Sequence, residues 1–227
     1  MQHKIWGGTL PAVTITLEQG ESIYTQSGGM SWMTDGIQMQ TNMQGGFAKG
    51  LGRMFSGESL FMATYTAMVP NAEITLSSSM PGQIVPFQIA PGAEYVAQKG
   101  SFLCAQPGVT LSAHMARSFG SGFFGGEGFV MQHYSGQGLA FLEIDGSLME
   151  YNLAPGQILK VDTGSVACFD ASVGYSVERV KGFKNILFGG EGLFLTTLQG
   201  PGRVWLQTMT VSDLAGRISP FIATHSN

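Results

Sequence analysis

Hydrophobic and polar residues alternate along most of the chain. Val13, Ile15 and Leu17, for example, are separated by threonines. A period of two is typical of β-strands with one buried face. Pro-Gly and Gly-Gly pairs separate the alternating segments, and we interpret Asp145-Gly146 in LEIDGSLMEY as a two-residue hairpin turn. The pattern therefore predicts an all-β protein with antiparallel sheets.

One short segment departs from this alternation near the carboxyl end. Ser212 opens residues 212–219, and Pro220 follows them. A serine side chain can accept a hydrogen bond from the free N–H groups at the start of a helix, and proline stops a helix. We expect a short turn or helix over residues 212–219, capped by Ser212.

The chain also matches itself at a displacement of 64 residues. The match runs without a gap between residues 90 and 142, so that Cys104 falls on Cys168 and the FGGEG letters at 124–128 fall on those at 188–192. A third, more diverged copy precedes these two, with Trp32 at the place of the two cysteines. Agreement at one displacement indicates internal duplication. We predict a single domain over residues 1–227 with repeats at about 17–88, 89–152 and 153–210.

The length of the repeat limits the architecture. A unit of 64 to 72 residues can hold four or five strands, so three units make one closed or stacked object rather than a short-period solenoid. We predict three internal β repeats related by pseudo-threefold symmetry. A double-stranded β-helix is one such arrangement.

The composition indicates that part of the surface is covered. Only 11% of the residues are charged, against about 25% in an ordinary soluble protein, while the chain holds 13 Met and 15 Phe. Such a surface favours either a homo-oligomer, as a trimer or another symmetric assembly, or peripheral contact with a membrane. A net charge of −4 and scattered Lys and Arg residues oppose nucleic acid as a partner, because phosphate binding needs clustered cations.

Three sequence features favour the cytoplasm. The longest mostly apolar stretch, Leu60 to Val69, is about half of the ~18 residues that a membrane span needs. The first residues contain no continuous apolar segment followed by a cleavage site, so we expect no signal peptide. Because the chain has only two cysteines, we expect a reducing compartment.

A carboxylate recurs in the glycine-rich block of each copy. On a threefold axis the three glutamates would form a ring that can bind a cation, but no His or Asp recurs beside them to complete a metal site. We favour a structural role, in which glycines bend the chain and the carboxylates accept backbone hydrogen bonds. The residues of this motif are Gly57, Glu58, Gly126, Glu127, Gly190 and Glu191.

Basic residues gather just before each of these blocks. Cations beside glycine-rich turns can bind an anion or a lipid headgroup together with backbone N–H groups. We favour ordinary solvent-exposed charge over this anion site. The residues are Lys49, Arg53, Arg117, Lys181 and Lys184.

The sequence shows no constellation of catalytic residues. The four histidines lack zinc spacing, and neither GxSxG nor CxxC occurs. GSGFFG at 120–125 matches a dinucleotide motif but lacks the strand and helix that this motif needs. The shared position of Cys104, Cys168 and Trp32 indicates apolar core packing rather than redox or metal chemistry. We expect no enzymatic activity, no cofactor and no metal.

Longer runs of the sequence resemble a known family. GGFAKGLGRMFSGESLFMATYTA, the two FGGEG blocks and GPGRVWLQTM resemble the altered-inheritance-of-mitochondria protein twenty-four family, and the resemblance extends from Leu17 to Met209. It implies a β-structure similar to the tryptophan RNA-binding attenuation protein, assembly into symmetric oligomers and no known catalytic residues. RNA binding is not carried over, because a shared fold does not transfer a site. The lack of a transit peptide fits a bacterial member of the family.

These observations favour a non-enzymatic oligomeric scaffold or organising protein. The second hypothesis is a small-ligand or anion-binding module that uses the five basic loop residues. The third is a metal-dependent enzyme on a double-stranded β-helix, for which the expected cluster of metal ligands is missing from the sequence.

Overall fold

The computed structural model describes residues 1–26, 28–41, 62–117, 129–179 and 194–221. These residues form antiparallel β-sheets and one short α-helix, which confirms the all-β prediction. The helix, α1, spans Val211–Ile218. The strands are β1 Gln2–Trp6, β2 Ala12–Leu17, β3 Ser22–Gln26, β4 Met30–Met33, β5 Ile37–Thr41, β6 Met62–Ala67, β7 Ala72–Ser77, β8 Gly82–Ile89, β9 Tyr95–Gln98, β10 Phe102–Ala105, β11 Val109–Arg117, β12 Phe129–Gly136, β13 Gly138–Asp145, β14 Leu148–Leu153, β15 Ile158–Asp162, β16 Val166–Asp170, β17 Gly174–Arg179, β18 Phe194–Gln199 and β19 Gly202–Gln207.

The strands form four antiparallel sheets. The first sheet has the order β1-β2-β7-β4, and the fourth has the order β15-β18-β17. The second and third sheets have six strands each. Their orders are β5-β6-β3-β10-β13-β8 and β11-β12-β9-β16-β19-β14.

One pairing scheme occurs in three consecutive segments. In residues 82–145, β8 and β10 both pair with β13, while β9 and β11 both pair with β12. Residues 12–77 pair in the same way around β7 and β6, and residues 148–207 pair in the same way around β19 and β18. Each segment thus contributes two three-stranded groups. Each segment holds six described strands rather than the expected four or five, because some of the strands, such as β4, β9 and β10, have only four residues.

Pairing between segments builds the second and third sheets. In the second sheet β3 pairs with β10, with Thr25 opposite Cys104. In the third sheet β9 pairs with β16, with Ala97 opposite Cys168. The first and fourth sheets contain one three-stranded group each, to which β1 is added in the first. Among the described strands, β4 and β15 are therefore sheet edges.

The four sheets are stacked, with a hydrophobic core between each pair of neighbours. Ile15 of the first sheet and Phe141 of the second lie in one core. Phe87 of the second sheet packs edge-on against Trp205 of the third, with ring centroids 5.0 Å apart. The third core includes Leu198 of the fourth sheet. The interior sheets thus bury both faces, whereas each terminal sheet has one face turned away from the stack.

The corner at Asp145-Gly146 is not a hairpin, so that prediction is wrong. β13 before the corner belongs to the second sheet, and β14 after it belongs to the third. Gly146 has a φ of +74°, and a Cβ there would lie 2.6 Å from Oγ1 of Thr208, so the position requires glycine. The turn sequence identifies the corner, but the choice of partner strand depends on the packing of the whole domain.

A short helix lies near the carboxyl end, and its cap differs from the predicted one. The hydroxyl of Thr210 accepts the backbone N–H of Asp213 at 3.0 Å and donates to its carboxylate at 2.8 Å. Because α1 begins at Val211, the residue before it takes the cap position in place of Ser212.

Candidate interaction surface

Most of the site residues singled out in the sequence lie outside the described residues. They are the basic residues Lys49, Arg53, Lys181 and Lys184 and the motif residues Gly57, Glu58, Gly126, Glu127, Gly190 and Glu191. Arg117 is the last residue of β11 and lies opposite Phe129 of β12 in the register. The anion site and the structural glutamate motif therefore stay predictions.

Cys104 and Cys168 are core residues, as predicted. Both are fully buried, Cys104 in the second sheet and Cys168 in the third, and both thiols are free. Burial raises the pKa of each thiol well above its ordinary value. Because the thiolate is the reactive form, these side chains pack as small apolar groups at neutral pH.

Trp32 does not share this environment, so the prediction of core packing is wrong for it. Its side chain is 54% exposed, although it follows the same irregularity in strand pairing as the two cysteines. The difference lies in the neighbouring strand. Cys104 lies opposite Thr25 of β3, and Cys168 lies opposite Ala97 of β9, whereas no described strand borders β4 on that side.

Two tryptophans lie close together on the first sheet. The rings of Trp6 and Trp32 are 5.9 Å apart and tilted by 45°. Trp6 Nε1 donates to Oγ1 of Thr14 at 2.9 Å, and that hydroxyl is hydrogen-bonded to the hydroxyl of Thr75 at 2.9 Å. These bonds tie Trp6 to β2 and β7. An apolar aromatic pair is thereby held at the surface beside the β4 edge.

The second free edge, β15, has one buried and one exposed face. Val161 packs into the third core, while Lys160 on the opposite face is exposed. Ile158 at the start of the strand is 57% exposed. The strand is paired with β18 from Ile158 to Asp162. Its other side carries backbone groups that can pair with a further strand.

An ionic and aromatic cluster ties strands of the third sheet together. Arg203 donates to Asp170 through its backbone N–H at 2.7 Å and through Nε and Nη2 at 3.2 Å. Its guanidinium lies 4.9 Å from the ring of Trp205, whose Nε1 donates to Glu150 at 2.7 Å. The hydrogen bond to Asp170 raises the pKa of Arg203. Because Asp170 engages the guanidinium, we assign this cluster to stability rather than to anion binding.

Two histidines and a glutamate meet beside β11 and β12. His133 Nε2 lies 3.0 Å from Oε2 of Glu94, and the rings of His133 and His114 are 6.1 Å apart. Burial and, second, the neighbouring His133 lower the pKa of His114. Nowhere in the described ranges are three His, Cys, Asp or Glu residues arranged to hold a metal ion.

Nearly the whole chain matches one family model. The model described as Mitochondrial biogenesis AIM24 aligns with residues 3–209, a range that includes β4 and β15. The chain belongs to the AIM24 family. The resemblance found in the sequence is confirmed, and the match begins before the first predicted repeat.

Two relatives of this AIM24 chain come from Streptococcus pyogenes. An uncharacterized protein of serotype M6 is 30% identical over 227 residues, which cover 96% of this chain and 89% of the relative. An X-ray crystal structure of a protein from the same species superposes with a TM-score of 0.77 at 25% identity and covers 97% of this chain and 99% of its own. Neither name specifies an activity.

The free edges of this AIM24 fold are the feature that sequence reasoning missed. The repeat aligned Trp32 with two cysteines, and the larger side chain of Trp32 was the one sequence signal that its environment differs.

None of the helices in the described part of the chain is long and apolar enough to cross a bilayer.

Proposed function

We propose that this AIM24-family protein is a non-enzymatic scaffold that acts as a symmetric homo-oligomer in the cytoplasm. The observation that carries the proposal is the group of large apolar side chains at the surface of the first sheet. Ile5, Trp6, Trp32 and Met33 are 37% to 54% exposed. Apolar surface of this kind, on a chain with 11% charged residues, favours contact with another protein surface.

The proposal includes the three internal repeats at 17–88, 89–152 and 153–210. The sequence match at 64 residues supports these repeats, and the recurring strand pairing supports their number, although its segments are residues 12–77, 82–145 and 148–207. A threefold axis within one chain would bring β15 beside β4 of the same chain. The exposure of Trp32 and Ile158 instead favours symmetry between several chains.

The free thiols support the cytoplasmic assignment. Cys104 and Cys168 are buried in different sheets and unlinked, as is usual in a reducing compartment.

Light scattering coupled to size-exclusion chromatography tests the oligomer. The chain has a mass of 24.1 kDa, and we expect a single species at an integer multiple of that mass at micromolar concentration. A species of 24.1 kDa at all concentrations would refute the proposal. A chain that oligomerises only when vesicles are present would assign the apolar surface to a membrane.

A further inference from the structure

The strands of the two terminal sheets, taken together, correspond to the strands of one interior sheet. The second sheet joins the group β5-β6-β3 to the group β10-β13-β8, and the third joins β11-β12-β9 to β16-β19-β14. The fourth sheet is the single group β17-β18-β15, and the first contains the single group β4-β7-β2. Placed end to end, these two groups reproduce the order of an interior sheet, with β1 as an additional strand.

We propose that copies of this chain join head to tail, with β4 of one copy paired antiparallel to β15 of the next. This inference rests on the proposed homo-oligomer and names its interface. β4 corresponds to β10 and β16, and β15 corresponds to β3 and β9, which pair with one another inside the chain. A head-to-tail contact closes into a ring or continues as a filament, depending on the rotation between copies.

The junction between β9 and β16 gives the register of the new contact. Cys168 lies opposite Ala97 there. The 64-residue displacement carries Ala97 to Val161, and Trp32 stands at the place of Cys168. Trp32 of one copy therefore lies opposite Val161 of the next.

The following pair brings an exposed lysine into the interface. Phe169 lies opposite Val96 in the interior junction, and the equivalent residues are Met33 and Lys160. β4 carries no charged residue, whereas β15 carries Lys160 and Asp162, whose charges balance, so the contact joins two edges without net charge.

The backbone of β4 is oriented for this contact. The N–H of Thr34 donates inward to the carbonyl of Glu73 on β7 at 2.9 Å. Successive N–H groups of an antiparallel strand point in opposite directions, so the N–H of Met33 points away from β7. Pairing with β15 would give this group an acceptor.

The other sheet edges lack an interior model for pairing. β5, β11 and β17 correspond to one another, and all three are edges. β8 and β14 are edges of the interior sheets, and the corresponding β2 is covered by β1. Within the described strands, β4 and β15 are therefore the two edges whose counterparts pair with one another elsewhere in the chain.

Disulfide formation between two single variants tests the contact. Met33→Cys and Lys160→Cys proteins are prepared separately, mixed under conditions of subunit exchange and oxidised. Opposed residues on neighbouring strands lie within disulfide range. The control mixture is Met33→Cys with Met149→Cys, because Met149 lies on the β14 edge. We expect at least about tenfold more linked dimer from the test mixture than from this control. Each variant alone is the second control, because the native cysteines are buried.

A charge substitution tests the same register without chemistry. Met33→Lys places a lysine opposite Lys160, and like charges in that position disfavour pairing. We expect association to weaken about tenfold or more, and Lys160→Glu in the same chain to restore it, whereas Met149→Lys has no such effect.

Three outcomes would overturn the inference. If the wild type is oligomeric but the mixture gives no excess dimer and Met33→Lys leaves the mass unchanged, the interface is wrong and the scaffold proposal stands. If the wild type is a monomer, both fail. If the Met33→Cys, Lys160→Cys double variant links only within one chain, the repeats close on themselves.

Discussion

Asp145 provides a test of how the corner between the second and third sheets affects stability. Its carboxyl group lies at the end of β13, two residues after Glu143, whose carboxylate accepts the backbone N–H of Ser79 at 2.7 Å. Burial and, second, the charge of Glu143 raise the pKa of Asp145 from its ordinary value of 3.8 to about 6. The folded protein therefore binds this proton more tightly than the unfolded chain does.

The sign and size of the effect follow from this difference. Between about pH 4 and pH 6, Asp145 is protonated in a larger fraction of folded than of unfolded molecules. Its contribution to the free energy of unfolding is therefore fully present below about pH 4, falls as the pH rises, and is lost above about pH 6. A difference of about 2 pKa units corresponds to ~3 kcal/mol. Because the side chain is only partly buried, solvent screening reduces this to about 1 kcal/mol.

Asp145→Asn removes the charge and leaves the backbone contacts of this residue in place. Those contacts are the N–H that donates to Gln207 Oε1 and the carbonyl that accepts from Met209. We expect the free energy of unfolding to rise by about 1 kcal/mol at about pH 8 and to be unchanged near pH 4.

Urea titrations at fixed protein concentration and several pH values measure this difference. The exposed Glu178→Gln variant reports the effect of net charge alone. Equal changes for Asp145→Asn at both ends of the pH range, or a loss of stability at high pH, would refute the reasoning.

Three further variants test particular contacts by urea unfolding. Gly136→Ala should lower the free energy of unfolding by about 2 kcal/mol or more, because φ is +93° and a Cβ would lie 2.3 Å from the carbonyl oxygen of Gly108. Its control, Gly92→Ala, has a φ of +81° but open space around the Cβ, and should cost about 1 kcal/mol. Equal losses for the two variants would contradict a role for the close contact at Gly136. Arg203→Lys should cost about 1 kcal/mol, since lysine cannot reproduce the paired hydrogen bonds, and no loss would argue against the cluster's structural role. Thr210→Ala should cost about 1 kcal/mol of local stability and reduce helical circular dichroism, and an unchanged spectrum would contradict the cap.

The strands were predictable from the sequence, but the sheets to which they belong were not. Alternation at Val13, Ile15 and Leu17 predicts a strand because a period of two places them on one buried face. Asp145-Gly146 predicts a corner because glycine adopts a positive φ there. Whether that corner closes a hairpin or leads to another sheet depends on contacts far away in the chain, which local patterns do not encode.

The repeat gave correct environments only where the neighbouring strands are also repeated. Cys104 and Cys168 are buried because β3 and β9 border their strands. Trp32 occupies the same place in its own segment, but none of the described strands borders β4 on that side. Clusters of side chains from different strands could not be predicted from the sequence either, because they depend on which strands pair. Arg203 and Asp170, for example, are 33 residues apart and meet only through sheet pairing.

The two half-sheets argue for association more directly than the repeat does. Among the described strands, the three segments make two junctions and two half-sheets, and β1 covers β2 rather than the free edge at β4. Monomeric proteins usually protect an exposed edge with charges, proline or a bulge that turns it away. β4 has an irregular register between Met30 and Trp32, which is one such protection, but it carries no charge and leaves Trp32 54% exposed. β15 carries the exposed charges of Lys160 and Asp162, yet its first residue, Ile158, is 57% exposed. The protection of the two edges is therefore partial, and the apolar side chains that remain exposed beside them are the surface that pairing between copies would cover.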